Sequence, residues 1–309
     1  MREDPMCMGW SADEIPDQSG RVAVVTGANS GLGLATAREL ARAGATVIAT
    51  ARDSSKAEAA GAKLAEDGAA VEFRDLDLAS LDSVRGFASA LAADHPRIDV
   101  LVNNAGVMMP PRGETADGFE LQFGTNHLGH FALTGLLLDA LAAGDDSRVV
   151  TVSSLEHRPG KIDFDDLGSE ESYSPRGAYQ RSKFANAVFG LELDRRLRAA
   201  GLPVISTLAH PGYSDTNLQT SGPTGPMKAL LRVGNLLLAQ SADRGALPQL
   251  FAATAPGVEG GQFFGPDGFQ QARGAPTEVQ PVSRARDGET ARRLWEVSEQ
   301  LTGVSYLSG

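Results

Sequence analysis

Short β-branched runs alternate with helix-spaced apolar residues along almost the whole chain. The runs 21–26, 46–50, 71–74, 98–102, 148–152, 204–208 and 262–264 read as strands, being short, β-branched or apolar, and bounded by turn residues. Between them, Leu34, Ala37, Leu40 and Ala41 recur at helix spacing, as do Leu81, Val84, Phe87 and Leu91, and then Phe184, Ala187, Val188 and Leu191. A long helix is expected over 119–141 and a closing helix over 289–301, with 266–288 polar and irregular. This alternation predicts an α/β chain: a single Rossmann-type, doubly wound parallel sheet of about seven strands with helices on both faces. One domain is expected over 21–309, after a flexible leader at 1–20 that is polar and holds two prolines. Within the domain, 213–240 is expected as a substrate lid: Gly/Pro punctuation, then Met227, Leu230, Leu231 and the run 236–238.

The first strand leads directly into Gly27, Ala28, Asn29, Ser30, Gly31, Leu32 and Gly33, and then into a helix. A strand, a glycine loop and a helix in that order make a dinucleotide site. The glycines let the backbone approach a pyrophosphate, and the helix N-terminus faces it. At the end of the second strand an acid would hold the ribose 2′-OH of NAD, and an arginine would accept the 2′-phosphate of NADP. Ala51 stands at the acid position and Arg52 follows it; Asp53 competes, but is well placed to cap the next helix. NADP(H) is therefore favoured, with NAD(H) possible. After the fourth strand come Asn103, Asn104, Ala105 and Gly106; such Asn side chains can lock strand ends together, and Ala105 and Gly106 leave room for a flat ligand.

Tyr179 and Lys183 lie four residues apart in a segment of helix spacing, so both side chains leave one face. A phenol with its ordinary pKa of about 10 is a poor proton carrier at neutral pH. A neighbouring cation favours the phenolate and is expected to lower that value. Alone the pair is weak evidence; the upstream glycine loop gives it meaning.

Composition narrows the setting. A net charge of −11 argues against a nucleic acid partner and against an electrostatic hold on anionic lipid. A single cysteine, Cys7, cannot close an internal disulfide, which suits the cytoplasm. The longest apolar stretch, 131–143, is interrupted by Asp139 and is too short to span a bilayer. No metal-ligand set is expected.

With these pieces placed, the chain resembles the short-chain dehydrogenase/reductase family over about residues 20–300. The marks are Thr-Gly-x-x-x-Gly-x-Gly at 26–33, Asp77-Leu78, Asn-Asn-Ala-Gly at 103–106, Asn126, Ser154, Tyr-x-x-x-Lys at 179–183 and Pro-Gly at 211–212. Asn126-His127-Leu128-Gly129-His130-Phe131, the loop with Asp163-Phe164 and Tyr173-Ser174-Pro175, and His210-Pro211-Gly212 are similar to its retinol dehydrogenase and protochlorophyllide reductase branch. The resemblance implies that Tyr179 exchanges a proton with the substrate oxygen while the nicotinamide exchanges a hydride. Lys183 would hold the nicotinamide ribose, Ser154 the substrate oxygen, and Asn126 a water that links Lys183 to solvent. Asp77, Leu78, Pro211 and Gly212 would line the cofactor, with the Tyr213 backbone and Thr216 pinning its carboxamide. Ser153 competes with Ser154, and the family pattern selects the second. Tyr173 and His157 read as surface structure.

The function expected is therefore NADP(H)-dependent interconversion of an alcohol and a carbonyl on a hydrophobic small molecule. The alternative is a nucleotide-sensing protein on the same fold, disfavoured because Tyr179 and Lys183 both stand. A sugar-nucleotide epimerase is disfavoured by residues 103–106 and by the short C-terminal part. The helices over 119–141 and 179–200, the family's usual contact surface, carry more apolar residues than one sheet-facing stripe needs. A homodimer or homotetramer is therefore expected.

Overall fold

The computed structural model describes residues 9–213 and 240–307. Its sheet has eight strands: β1 Val22–Val25, β2 Thr46–Ala51, β3 Val71–Asp75, β4 Val100–Asn103, β5 Ser147–Val152, β6 Val204–Ala209, β7 Phe263–Pro266 and β8 Pro276–Glu278. They lie in the order β3-β2-β1-β4-β5-β6-β7-β8, parallel except for the antiparallel last pair. The seven strands expected from the pattern are present, and β8 is the addition. Three residues, Pro-Thr-Glu, carry no apolar alternation, and only their pairing with β7 makes them a strand.

Helices cover both faces. Gly31–Arg42 packs beside Ala242–Thr254 on one face, whereas Leu81–Asp94, Gly129–Leu136 and Pro175–Ala199 cover the other. The helix Ala242–Thr254 has no counterpart among the expected elements, and Pro248 inside it interrupts the propensity signal. Because β1 and β4 are neighbours and their crossovers run in opposite directions, a crevice opens at the carboxyl ends of the central strands.

The helix expected over 119–141 is not uniform. It starts at Leu121–Phe123, passes through a π-helical turn at Gly124–Leu128, continues as Gly129–Leu136, and breaks before Leu138–Ala142. At Gly129 a β-carbon would lie 2.5 Å from the carbonyl oxygen of Leu78, so glycine alone lets this helix approach the loop after β3 so closely. The π turn carries Asn126, which explains a polar residue in an apolar helix: a widened turn re-aims one side chain.

Two expectations change. Within the leader expected at 1–20, Trp10 is buried edge-on against Phe251, Ala12–Glu14 is a 3-10 helix, and buried Gln18 donates to the carbonyl of Pro16. Residues 9–20, the described part of that segment, thus pack on the body of the chain. Part of the apolar surplus of the long helices is covered within the chain, although Leu136 stays exposed. The closing helix Gly288–Thr302 lays Trp295 against Phe131 and Phe189, with Tyr306 and the Arg196 guanidinium completing the cluster. Part of the apolar surface of these two helices, at Phe131 and Phe189, is thus covered by the chain's own C-terminal part. The lid expected at 213–240 lies outside the described residues except for Tyr213 and Gln240. Among the described residues, no helix is long and apolar enough to cross a membrane.

Trp10→Ala tests the packed N-terminal segment. It should cost about 3 kcal/mol, at the low end for an emptied aromatic site, and lower the urea midpoint without changing the slope. An unchanged midpoint would restore the loose leader.

Candidate active site

The crevice is floored by the glycine loop. Gly27 has φ +64°, and a β-carbon there would sit 2.8 Å from that of Ala105; at Gly33 one would sit 2.5 Å from the Gly27 carbonyl oxygen. Bare backbone is therefore required on both sides of the loop. Ser30 caps the helix Gly31–Arg42 in an extended conformation but makes no side-chain cap bond, so the first-turn N–H groups face the cleft. Asn29, Ser30, Gly31, Leu32, Asp77, Leu78, Asn104, Ala105 and Gly106 line the same cleft, with Pro211, Gly212 and Tyr213 at its far end. This cradle, which β-carbons would fill, fits a dinucleotide.

At the adenosine end Ala51 is buried and Arg52 is exposed at the cleft wall, with Lys56 beside it. Asp53 is engaged elsewhere. Its Oδ1 accepts from the backbone N–H groups of Ser55 (3.1 Å) and Lys56 (3.2 Å), capping the helix Ser54–Glu66. The Ser55 hydroxyl, the Lys56 amide and the Lys56 ammonium hold its carboxyl down at about 2.

At the other end the helix Pro175–Ala199 is fastened at successive residues. Arg181 pairs with buried Glu120 (3.3 Å), the Ser182 hydroxyl accepts from Asn126 Nδ2 (2.9 Å), and Lys183 Nζ donates to the Val152 carbonyl (3.0 Å). Ser153, buried, donates to the Lys183 carbonyl at 2.8 Å, which gives this serine a backbone-fastening role. Ser154 follows at the cleft wall, where Tyr179 also lies, and its hydroxyl favours the Tyr179 phenolate. Lys183 Nζ stands 5.9 Å from the centre of the Tyr179 ring. The Asn126 side chain makes its hydrogen bonds to partners other than Lys183. Its Oδ1 accepts from Val107 N (2.8 Å) and its Nδ2 donates to Val107 O (3.0 Å) and Ser182, while a β-carbon at Gly106 would meet both Asn126 Oδ1 (3.0 Å) and Lys183 Nζ (3.7 Å). The far turn is held as well: Tyr213 N donates to Ala272 O, and Gln240 Nε2 to Pro211 O. Thr216 lies outside the described residues.

The electrostatics correct one expectation. Burial pushes the Tyr179 phenol up to about 12, with the Ser154 hydroxyl opposing and the charge of Glu156 adding. Burial alone takes the Lys183 ammonium down to about 8. Desolvation thus outweighs the expected lowering of the tyrosine by the lysine, because both groups lose water together.

Histidines supply what sequence reasoning missed. His157 is buried, not surface structure: Nδ1 donates to the Ser154 carbonyl (2.6 Å) and Nε2 accepts from Val282 N (3.2 Å). His210 accepts from Gly212 N at 3.1 Å through Nδ1. His130 bonds the Asn126 carbonyl. Burial carries His127 down to about 3, His130 to about 4 and His210 to about 3, and lowers His157 as well. In the unfolded chain such groups titrate near 6.5, about the ordinary value. Below that pH the unfolded chain takes protons that the folded one refuses, so stability is full above it and falls as pH drops toward the folded values. Each histidine should remove up to about 1.4 kcal/mol per pH unit in that window. The thermal midpoint should therefore fall steeply between pH 6.5 and 5, and a flat midpoint there would contradict the assignment.

Tyr173, expected as surface, is half-buried; its hydroxyl donates to Pro110 O (2.9 Å) and accepts from Gln122 Nε2 (3.1 Å). It braces the loop 107–112, whose Met108, Met109 and Pro111 form an apolar wall of the cleft.

A family model described as short chain dehydrogenase matches residues 21–225. The chain is 44% identical to mouse polyprenol dehydrogenase over 298 residues, 94% of this chain and 86% of that one. It is 43% identical to human retinol dehydrogenase 13 over 297 residues, with the same coverage. A crystal structure of an uncharacterised protein of Mycobacterium paratuberculosis superposes with a TM-score of 0.82 at 47% identity, covering 97% of this chain and 99% of that one. With the glycine cradle, the Ser154, Tyr179 and Lys183 constellation and these relatives together, the chain belongs to the short-chain dehydrogenase/reductase family of NAD(P)-dependent oxidoreductases, in its retinol dehydrogenase-like branch.

Proposed function

We propose that this protein interconverts an alcohol and a carbonyl on a hydrophobic small molecule, using NADP(H). The observation that carries the reading is the buried Tyr179 phenol, which lines with Ser154 and Lys183 the same cleft as the dinucleotide cradle. Bound in that cradle, the cofactor supplies or accepts the hydride. Ser154 orients the substrate oxygen and stabilises charge developing on it. In the reducing direction Tyr179 delivers a proton to that oxygen; in the oxidising direction it removes one. Lys183 holds the ribose, and Asn126 fixes the turn beside it through Ser182.

The exposed Arg52 after a buried Ala51, with Asp53 spent on a cap, supports NADP(H) over NAD(H). The apolar wall of Met108, Met109, Pro111 and Leu155 supports a greasy substrate, as do relatives named for polyprenol and retinol, both apolar alcohols. A cytoplasmic location remains part of the proposal, supported by the charge of −11 and the single cysteine. Following NADPH oxidation against a panel of apolar aldehydes and ketones tests it, and silence across the panel counts against it.

Arg52→Ala should weaken NADPH binding roughly 10–100-fold, the size of a lost charge-assisted hydrogen bond, and leave NADH binding unchanged. Equal binding of the two cofactors by the unaltered protein would overturn the preference.

Tyr179→Phe should abolish turnover and keep NADPH binding, because it deletes one oxygen and retains the ring. Ser154→Ala should slow turnover by about 10²–10³-fold, as loss of an oxyanion donor does; Ser153→Ala, which loses only a bond to the Lys183 backbone, should cost far less. A phenol held near 12 is protonated throughout the neutral range, so carbonyl reduction should be flat between pH 6 and 8. Alcohol oxidation, which needs the phenolate, should climb with pH over the same range. Oxidation that levels off below pH 8 would show a lowered tyrosine pKa instead.

A further inference from the structure

The His130 side chain is enclosed between two parts of the site and bonds to both. On one side Nδ1 lies 2.9 Å from the carbonyl oxygen of Asn126, in the π turn. On the other side Nε2 lies 2.9 Å from the hydroxyl of Thr26, the residue that opens the glycine loop. That hydroxyl already accepts two backbone N–H groups, from Asn104 and Ala105, both at 2.9 Å. A hydroxyl has two lone pairs and one hydrogen. With both lone pairs taken, Thr26 can only donate, to Nε2 or to the more distant Val102 carbonyl at 3.3 Å. The Asn126 carbonyl can only accept. Both ends therefore require the same imidazole: neutral, with its proton on Nδ1 and its lone pair on Nε2. The imidazolium would point a second N–H at an oxygen with nothing left to accept it.

Each anchor matters for a different reason. Thr26 sets Asn104 and Ala105 against the glycine loop, and the Asn104 side chain in turn donates to the Thr26 carbonyl at 2.7 Å. These atoms shape the cofactor cradle. Asn126 bonds Ser182, the residue before Lys183 on the Tyr179 helix, and so sets the proton-transferring end.

We propose that His130 is a positioning residue that couples the cofactor cradle to the proton-transfer helix through a fixed neutral tautomer. The proposal rests on the function proposed above, and deepens it by assigning the second histidine of Asn-His-Leu-Gly-His. Around the ring, burial and the charge of Lys183 work against protonation, while the Asn126 carbonyl favours it. The two ring nitrogens can be separated by substitution. His130→Asn places an amide near Nδ1 and retains the tie to Asn126. His130→Gln reaches the Nε2 position and retains an acceptor for Thr26.

The test uses the full chain and three readouts: NADPH affinity by fluorescence titration, steady-state kinetics on the best panel substrate, and long-range ¹H–¹⁵N spectra of the histidine side chains at pH 7. With five histidines in the chain, the His130→Asn protein identifies the His130 signals by their loss. The unaltered protein should show the Nδ1–H tautomer. His130→Asn should raise the NADPH dissociation constant about tenfold, the worth of one hydrogen bond, and leave kcat within about threefold. His130→Gln should lower kcat about tenfold and leave the dissociation constant within about threefold. An Nε2–H tautomer or an imidazolium overturns the proposal. So does a pair of variants in which affinity and kcat fall together, in step with the thermal midpoint, because that is the signature of a structural residue. If both variants fail to fold, the tautomer in the unaltered protein decides alone. Failure of the unaltered protein to bind NADPH overturns the proposed function, whereas the spectra still judge His130.

Discussion

The end of β5 and the Tyr179 helix are joined by a reciprocal pair of hydrogen bonds. Lys183 Nζ donates to the carbonyl of Val152, and the next residue, Ser153, donates its hydroxyl to the carbonyl of Lys183. Crossing twice, the pair fixes rotation of the helix about its axis as well as its distance from the sheet. Only with that rotation set does Tyr179 face Ser154 across the cleft. The doublet Ser153-Ser154 is thereby divided into a fastener and a cleft hydroxyl, since neighbouring residues at a strand end point to opposite sides. Arg181 and Ser182 extend the same fastening toward the π turn, so the helix is held at three consecutive positions.

Enclosure has an electrostatic consequence. Removing water from a phenol raises its pKa and removing water from an ammonium lowers it, and in this site both shifts exceed what the two groups do to each other. The tyrosine is consequently a standing proton donor at neutral pH. The same enclosure keeps four histidines neutral, and three of them hold a backbone group at a corner of the site: Asn126, Ser154 and Gly212. Uncharged imidazoles suit that work because a neutral ring offers one donor and one acceptor, and each of these three has a partner for both. The cost is sensitivity to acid.

The C-terminal helix changes the meaning of the apolar helices beneath it. Trp295 fills the space over Phe131 and Phe189, so residues that would otherwise need a second subunit are covered by the chain itself.

Much of this was legible in the residues. The seven parallel strands, the glycine loop and the Tyr179–Lys183 pair follow from local patterns, because apolar period, turn chemistry and motif spacing act over a few residues. The position of Arg52 and the capping of Asp53 are local in the same sense. The β8 strand was not legible, since Pro-Thr-Glu becomes a strand only by pairing with Phe264–Pro266. Neither was the packing of Trp10 on Phe251, or the burial of His130, His157 and His210, whose partners lie up to 125 residues away along the chain. The direction of the tyrosine shift depended on tertiary structure too: a sequence shows that a lysine stands four residues on, but desolvation is set by everything that closes over the pair. Local chemistry determined which groups this protein brings to its site; long-range packing decided their protonation states, because only burial sets how much water each one loses.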